Sequence, residues 1–155
     1  MCLRNVCEIY DGTSAVVLIR FKVFLASSKG ELYPIHMYNS SKGPLPLGEW
    51  LDEKDYRPID SQDRIKSQTG TIYPTGWHVY LDKVRASDMA SVITARGPVI
   101  PGFNKGVVLK VYCKGLLASG EDVSEAMNEV YRYIKIKKEH PLRYNDPWAW
   151  KLPWK

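Results

Sequence analysis

Apolar residues recur along this chain at two spacings. From Ala15 to Ala26 the positions are β-branched or aromatic, and Arg20 and Lys22 fall on one side of a two-residue period. That predicts a strand with one face partly exposed. Ser27-Ser28-Lys29-Gly30 supplies a turn, and Glu31 to Tyr38 returns as the second arm of a hairpin. Pro34 has no N–H for a ladder, so this arm belongs at an edge or carries a bulge. Gly76 to Leu81 alternates as a short strand, with Trp77, Val79 and Leu81 on one face and His78 and Tyr80 on the other. The period then changes. Asp82 stands at an N-cap position, Ala86, Met89, Ala90 and Ile93 repeat at helical spacing, and Gly97-Pro98 ends the helix. In Gly106 to Lys114, Val107, Leu109, Val111 and Cys113 alternate with Val108, Lys110 and Tyr112, the pattern of a strand. Gly115 to Asn128 holds a short apolar step and a turn. Glu129 to Lys137 is read as a strand, because Ile134 and Ile136 alternate with Lys135 and Lys137.

Residues 39 to 72 break this regularity with Gly, Pro, Ser and charge, and predict a long connection with a short helical turn near Leu51 to Tyr56. Connections of that length are uncommon in compact domains, so this one is a candidate lid or binding loop set against a plain disordered excursion. The fold class that follows is α+β: one domain over residues 1–140, with a mixed or antiparallel sheet of about five strands and one main helix. Residues 141–155 form a C-terminal arm rich in Pro and Trp.

The segment Tyr73-Pro-Thr-Gly-Trp-His-Val-Tyr80, running straight into a helix, resembles a motif of small uncharacterised phage and prophage proteins. FKVFLASSKGELYPI upstream, and VVLKVYCKGLLASGE and YRYIKI downstream, extend the likeness from Phe21 to Ile136. The resemblance implies a compact α+β domain of viral or mobile-element origin. It implies no activity, and the 39–72 segment and the Trp-rich tail lie outside it.

Charge changes the picture most. Residues 131–155 hold seven Lys and Arg against Glu139 and Asp146, which equals the whole formal net charge of +5, and three of the five tryptophans. Such a basic, aromatic stretch can face phosphates, a membrane surface or an acidic partner. Lys135, Lys137, Lys138 and Arg143 are candidate phosphate contacts, and Trp148, Trp150 and Trp154 candidate stacking partners for unpaired bases. The competing use, which we favour, is an arm that docks on its own domain or on a second subunit. The amphipathic length is too small for a membrane role.

With 155 residues, 45% of them hydrophobic, the chain can bury a core without disulfide or metal staples. Cys2, Cys7 and Cys113 have neither paired nor zinc-binding spacing, so reduced thiols, no metal and no cofactor are expected. The apolar run AVVLIRFKVFLA is interrupted by Arg20 and Lys22 and is too short to span a membrane. It also lacks the cleavage site of a secretory signal. A cytoplasmic protein is expected, in the host cytoplasm if phage-encoded.

No motif specifies a reaction. His78 and Tyr80 are the candidate catalytic pair, His78 as acid, base or ligand reader, with Trp77 beside them. A strand histidine before a helix is similar to the nucleotide contact of ADP-ribosyltransferase-like sheets, although no catalytic Glu can be placed. The structural alternative, a histidine bonded to a neighbouring carbonyl, is the commoner use. His36 and His140 read as edge and turn residues, and Cys113 reads as core. Cys2 would become an N-terminal nucleophile only if Met1 were removed. The expectation is therefore a phage-type accessory protein that binds a host macromolecule or small nucleotide ligand, with antagonism of host defence as its role. The alternatives are a nucleotide-directed enzyme (ADP-ribosyltransferase-like or hydrolase) centred on His78, and nucleic-acid binding through the tail. Homo-oligomerisation through the arm is left open.

Overall fold

A computed structural model describes residues 3–35, 38–95 and 103–137. In chain order the elements are β1 (Asn5–Ile9), β2 (Leu18–Ser27), β3 (Leu32–Tyr33), β4 (Trp50–Asp52), β5 (Arg64–Lys66), β6 (Ile72–Pro74), β7 (Trp77–Tyr80), α1 (Lys83–Ala95), β8 (Phe103–Glu121) and β9 (Met127–Ile136). This is the α+β class that the patterning predicts, with antiparallel pairing and a single helix among the described residues. The main sheet has seven strands, more than the five expected, and β5–β6 form a separate two-stranded sheet. The additional strands are short or, like β1, lack clear alternation, so their pairing partners rather than their own periodicity hold them. Among the described residues no helix is long and apolar enough to cross a membrane.

β8 organises the sheet. One edge pairs with β2 over Phe103–Cys113 and with β1 over Ala118–Glu121, and the other pairs with β9 over Val111–Glu121. β9 also pairs with β7, and β7 meets β2 at Phe21↔Tyr80, so β8, β2, β7 and β9 form a closed ring of pairings. The strand can serve both halves because it bends. Gly115 has φ +72°, which a side chain rarely tolerates, and a bulge follows between Leu116 and Ala118. The sequence pattern ends this strand at Lys114, because Gly115 resembles a stop when its partners are unknown.

The inner face of the ring carries Phe24, Ala26, Trp77, Val79, Leu109, Val111, Tyr131 and Ile134 in one buried cluster. A second cluster lies under α1, where Val23, Tyr80 and Val108 meet Ala86 and Ala90. The helix stripe is as predicted: Ala86 and Ala90 are buried, Met89 and Ile93 are packed beside them, and Asp82 caps the N-terminus by accepting from the Val84 N–H at 2.8 Å. The Gly97-Pro98 stop lies outside the described residues.

Several face assignments are corrected. Tyr80 lies on the face opposite Trp77 and Val79, as expected, but that face is buried under the helix, while Leu81 falls past the strand end and is exposed. Lys22 is buried, because the Arg20/Lys22 side of β2 is the inner side shared with Phe24 and Ala26. The 39–72 segment has the expected helical turn at Glu53–Asp55, but it also contains β4, β5 and a 3-10 turn at Ser40–Lys42. β3 does sit at an edge, and Pro34 follows its last residue.

α1 lies close to β8 at Gly106. A Cβ there would stand 2.7 Å from the Ala90 carbonyl oxygen, and the Gly106 N–H donates to Thr94 Oγ1 at 2.9 Å. Gly106→Ala is expected to lift the helix off the sheet and lower stability by about 1–3 kcal/mol, the usual cost of overpacking. The urea midpoint would fall; an unchanged midpoint would mean that this contact relaxes freely.

Candidate functional site

Two arrangements of side chains carry chemistry, an outward face of β4, β8 and β9 and a cleft beside β2 and β7. The first is built by two-residue alternation. On β8, Val111 and Cys113 point inward, which turns Lys110, Tyr112 and Lys114 outward; on β9, Ile134 and Ile136 point inward and Tyr133 and Lys135 outward. The register then matches each aromatic with a cation. Tyr112 lies opposite Lys135, Lys135 opposite Trp50 of β4, and Lys114 opposite Tyr133.

The side chains close on one another as that register dictates. Lys114 Nζ stands 4.3 Å from the Trp50 ring centre and 5.3 Å from that of Tyr133. Lys135 Nζ stands 5.0 Å from Trp50 and 5.6 Å from Tyr112, and the Arg132 guanidinium 5.1 Å from Tyr133. All of these residues are partly exposed. Lys110 and Lys137 border a shallow depression with Ile19 and Tyr112 at the end of the array. Asp52 brings a carboxylate to it, 3.5 Å from Arg132. The result is a sheet face of alternating rings and positive charges.

The second arrangement is a cleft lined by Lys22, Glu53, Tyr56, Arg57, Trp77 and His78, among others. The cleft has a cavity volume of about 40 Å³ and opens to solvent. Lys22 Nζ donates to the His78 carbonyl at 2.9 Å and lies 5.5 Å from the Trp77 ring centre. Burial brings the Lys22 ammonium down to about 8. Glu53 is also buried, and burial raises its carboxyl pKa against the opposing pull of Arg57. Glu53 Oε1 is 3.2 Å from Arg57 Nε but off the line of a hydrogen bond, so this oxygen has an ion-pair neighbour and no hydrogen-bond donor. Arg57 also reaches Asp63 at 2.9 Å and the Gln62 carbonyl at 3.1 Å. The Trp77 indole donates to the Leu51 carbonyl at 3.0 Å, and the Tyr56 ring lies 6.0 Å from it at 45°.

The residues singled out from sequence separate accordingly. Trp77 and His78 line the cleft, and Lys135 and Lys137 belong to the sheet face. His78 Nε2 is 3.2 Å from Tyr73 Oη, which itself accepts from the Leu3 N–H at 2.8 Å, so the histidine ties the N-terminal segment to β7. Tyr80 Oη donates to Asp122 Oδ2 at 2.9 Å, and the other Asp122 oxygen accepts from the Ser124 and Ala126 N–H groups, fastening the β8–β9 turn. Burial, seconded by Asp122, pushes the Tyr80 phenol upward. Cys113 is buried, as expected, and burial raises its thiol to about 12. Cys2, His36, Lys138, His140, Arg143, Trp148, Trp150 and Trp154 lie outside the described residues. Among the described residues no group of His, Cys, Asp or Glu side chains is arranged to hold a metal ion.

Sequence reasoning missed Trp50, Tyr112, Tyr133, Lys110 and Lys114 as one surface. The signal was present as Lys-x-Tyr-x-Lys at 110–114 and Tyr-x-Lys-x-Lys at 133–137, two outward-facing alternations that become one face when the strands pair. It also missed the burial of Lys22 and Glu53.

Lys22 has a measurable consequence. Its pKa is lower folded than unfolded, so above about pH 8 the folded chain releases this proton first and its contribution to stability rises with pH. Between pH 7 and pH 9, wild type should gain stability relative to Lys22→Met, by about 1.3 kcal/mol. Urea unfolding at the two pH values checks this, and parallel behaviour would place the ammonium in water. In comparison with known proteins, no protein-family model matches this chain, and no curated protein and no solved structure matches it significantly.

Proposed function

We propose that this protein is a binding factor rather than an enzyme, and that its partner is a single-stranded nucleic acid held on the face formed by β4, β9 and β8. The observation that carries this reading is the register that alternates Trp50, Tyr112 and Tyr133 with Lys114 and Lys135. Rings offer a stacking surface to any unpaired base, and lysines between them meet the phosphates. A duplex hides its base faces and calls for an element that enters a groove, whereas this surface is a sheet face.

Magnitudes favour the exchange. Each lysine–ring contact is worth about 0.5–1 kcal/mol at an exposed site. A base stacked on an aromatic ring is worth about 1–3 kcal/mol. Bases that displace the ammonium groups from the rings therefore gain stacking and release the lysines toward phosphates, where counterion release adds to affinity. The role of a phage-type accessory factor that grips a host macromolecule, and through it antagonises host defence, rests on the motif resemblance and belongs to the same proposal. A nucleotide-directed enzyme centred on His78 lacks comparable support, because His78 and Tyr80 each make hydrogen bonds within the fold.

Fluorescence anisotropy with a labelled single-stranded oligonucleotide, its duplex and a salt series tests the reading on the full chain. Trp50→Ala should weaken single-strand binding by about tenfold. Lys135→Ala should lower the slope of log K against log salt by about 0.7, the share of one phosphate. Equal affinity for the duplex, or binding indifferent to Trp50, would overturn it.

A further inference from the structure

Tyr112 differs from the other rings of the lysine–aromatic face in its register partners. Along β8 its outward neighbours are Lys110 and Lys114, two residues away on either side. Across the sheet it stands opposite Lys135 of β9 on one side and Ile19 of β2 on the other. Lys135 Nζ is 5.6 Å from its ring centre. Ile19 is 52% exposed and lines the shallow depression with Lys110, Val111, Tyr112 and Lys137. Trp50, by contrast, pairs with Lys135, and Tyr133 pairs with Lys114 and Asp52. One exposed isoleucine is ordinary on a protein surface. Placed against a ring that cations flank on its other three sides, it sets what can sit there.

We propose that Tyr112 is a seat for thymine, with the base stacked on the ring and its methyl group against Ile19, so that the single strand this face prefers is DNA. The inference rests on the single-strand reading of the face and adds a base preference to it. Stacking alone is indifferent to sequence, because every base has a π-face. The edges of the bases are not alike. Thymine carries a C5 methyl group, which apolar side chains read by contact, and uracil has a hydrogen in its place. Around Tyr112 three sides offer ammonium groups, toward which phosphates and the carbonyl oxygens of a base can turn, and the fourth offers Ile19. A thymine laid on the ring has an orientation that sets its methyl edge on the aliphatic side and leaves its polar groups to the lysines. Lys110 and Lys137, at the border of the depression, put positive charge beside the seat, where the phosphates flanking that base would lie.

Oligo(dT) and oligo(dU) of equal length differ only in the methyl groups, so anisotropy with both, on the full chain at one salt concentration, isolates this contact. Oligo(dT) should bind about fourfold more tightly, the worth of one methyl group taken out of water. Ile19→Ala should bring oligo(dT) down to the affinity of oligo(dU) and leave oligo(dU) unchanged. Half of the Ile19 side chain is already in water, so this variant is expected to fold, and the comparison of the two oligonucleotides on wild type decides even without it. Trp50→Ala, which weakens both oligonucleotides alike, separates the two possible failures. Equal binding of oligo(dT) and oligo(dU) that still depends on Trp50 would overturn the thymine seat and leave the single-strand reading standing. A preference for oligo(dT) that survives Ile19→Ala would place the methyl group elsewhere and overturn the seat as well. Binding of neither oligonucleotide would overturn both.

Discussion

Strand β8 is hydrogen-bonded along both edges but to different partners in its two halves, and the domain closes only because it changes direction at Gly115. The consequence appears on both sides of that rung. On β8 the inward positions are 107, 109, 111 and 113 before the bend, and Leu116 packs against the same cluster after it. On β9, Tyr131 is inward, and so are Ile134 and Ile136. Each strand therefore slips by one residue in its alternation, and the slips face each other, since Lys114 pairs with Tyr133 and Leu116 with Tyr131. A slip in one strand alone would have turned half of its apolar residues to solvent.

Closing the ring sets the chemistry of its interior. β2 contributes Leu18, Arg20, Lys22, Phe24 and Ala26 to one side, so two charges enter with the apolar residues. Arg20 is satisfied there: Glu129 Oε1 accepts from its Nε and from Tyr131 Oη. Lys22 is held by a carbonyl and two aromatic faces, without a hydrogen-bonded carboxylate among the described residues. Buried ion pairs offset their desolvation only when their geometry and hydrogen bonds are complete. By that criterion the Arg20 end is complete, while Lys22 has a carbonyl and two rings in place of a paired carboxylate.

Much of the fold was legible because local rules and tertiary context agree in α1, in the first half of β8 and in the Ile134/Ile136 portion of β9. The stripe Ala86, Met89, Ala90 and Ile93 needs no partner to be recognised. β1 and β4 were not legible, because a short strand is defined by the strand that it joins. Lys22 was misassigned for a physical reason: a charge at a two-residue period signals solvent in an open sheet, but in a closed ring the same side of the strand faces inward. At the candidate site Lys135 and Lys137 stood out through charge alone. Their aromatic counterparts are supplied by β8 and β4, and pairing between segments distant in the chain leaves no trace in local periodicity.

The two candidate surfaces share one short stretch of backbone. Alternation along β4 places Trp50 and Asp52 on the lysine–aromatic face and Leu51 on the inside, where its carbonyl accepts the Trp77 indole. Asp52 then caps the turn that carries Glu53 into the cleft by accepting from the Lys54 N–H, and its other oxygen lies 3.5 Å from Arg132. Three rungs to β9 hold the stretch in place, Trp50↔Lys135, Leu51↔Ile134 and Asp52↔Tyr133. A displacement of Trp50 along the sheet normal must therefore tilt Leu51 and load the Trp77 hydrogen bond, because adjacent residues of a strand cannot move independently across its pleat. Trp50, Leu51 and Asp52 thus tie the outer aromatic face to the Trp77 hydrogen bond and to the turn that carries Glu53.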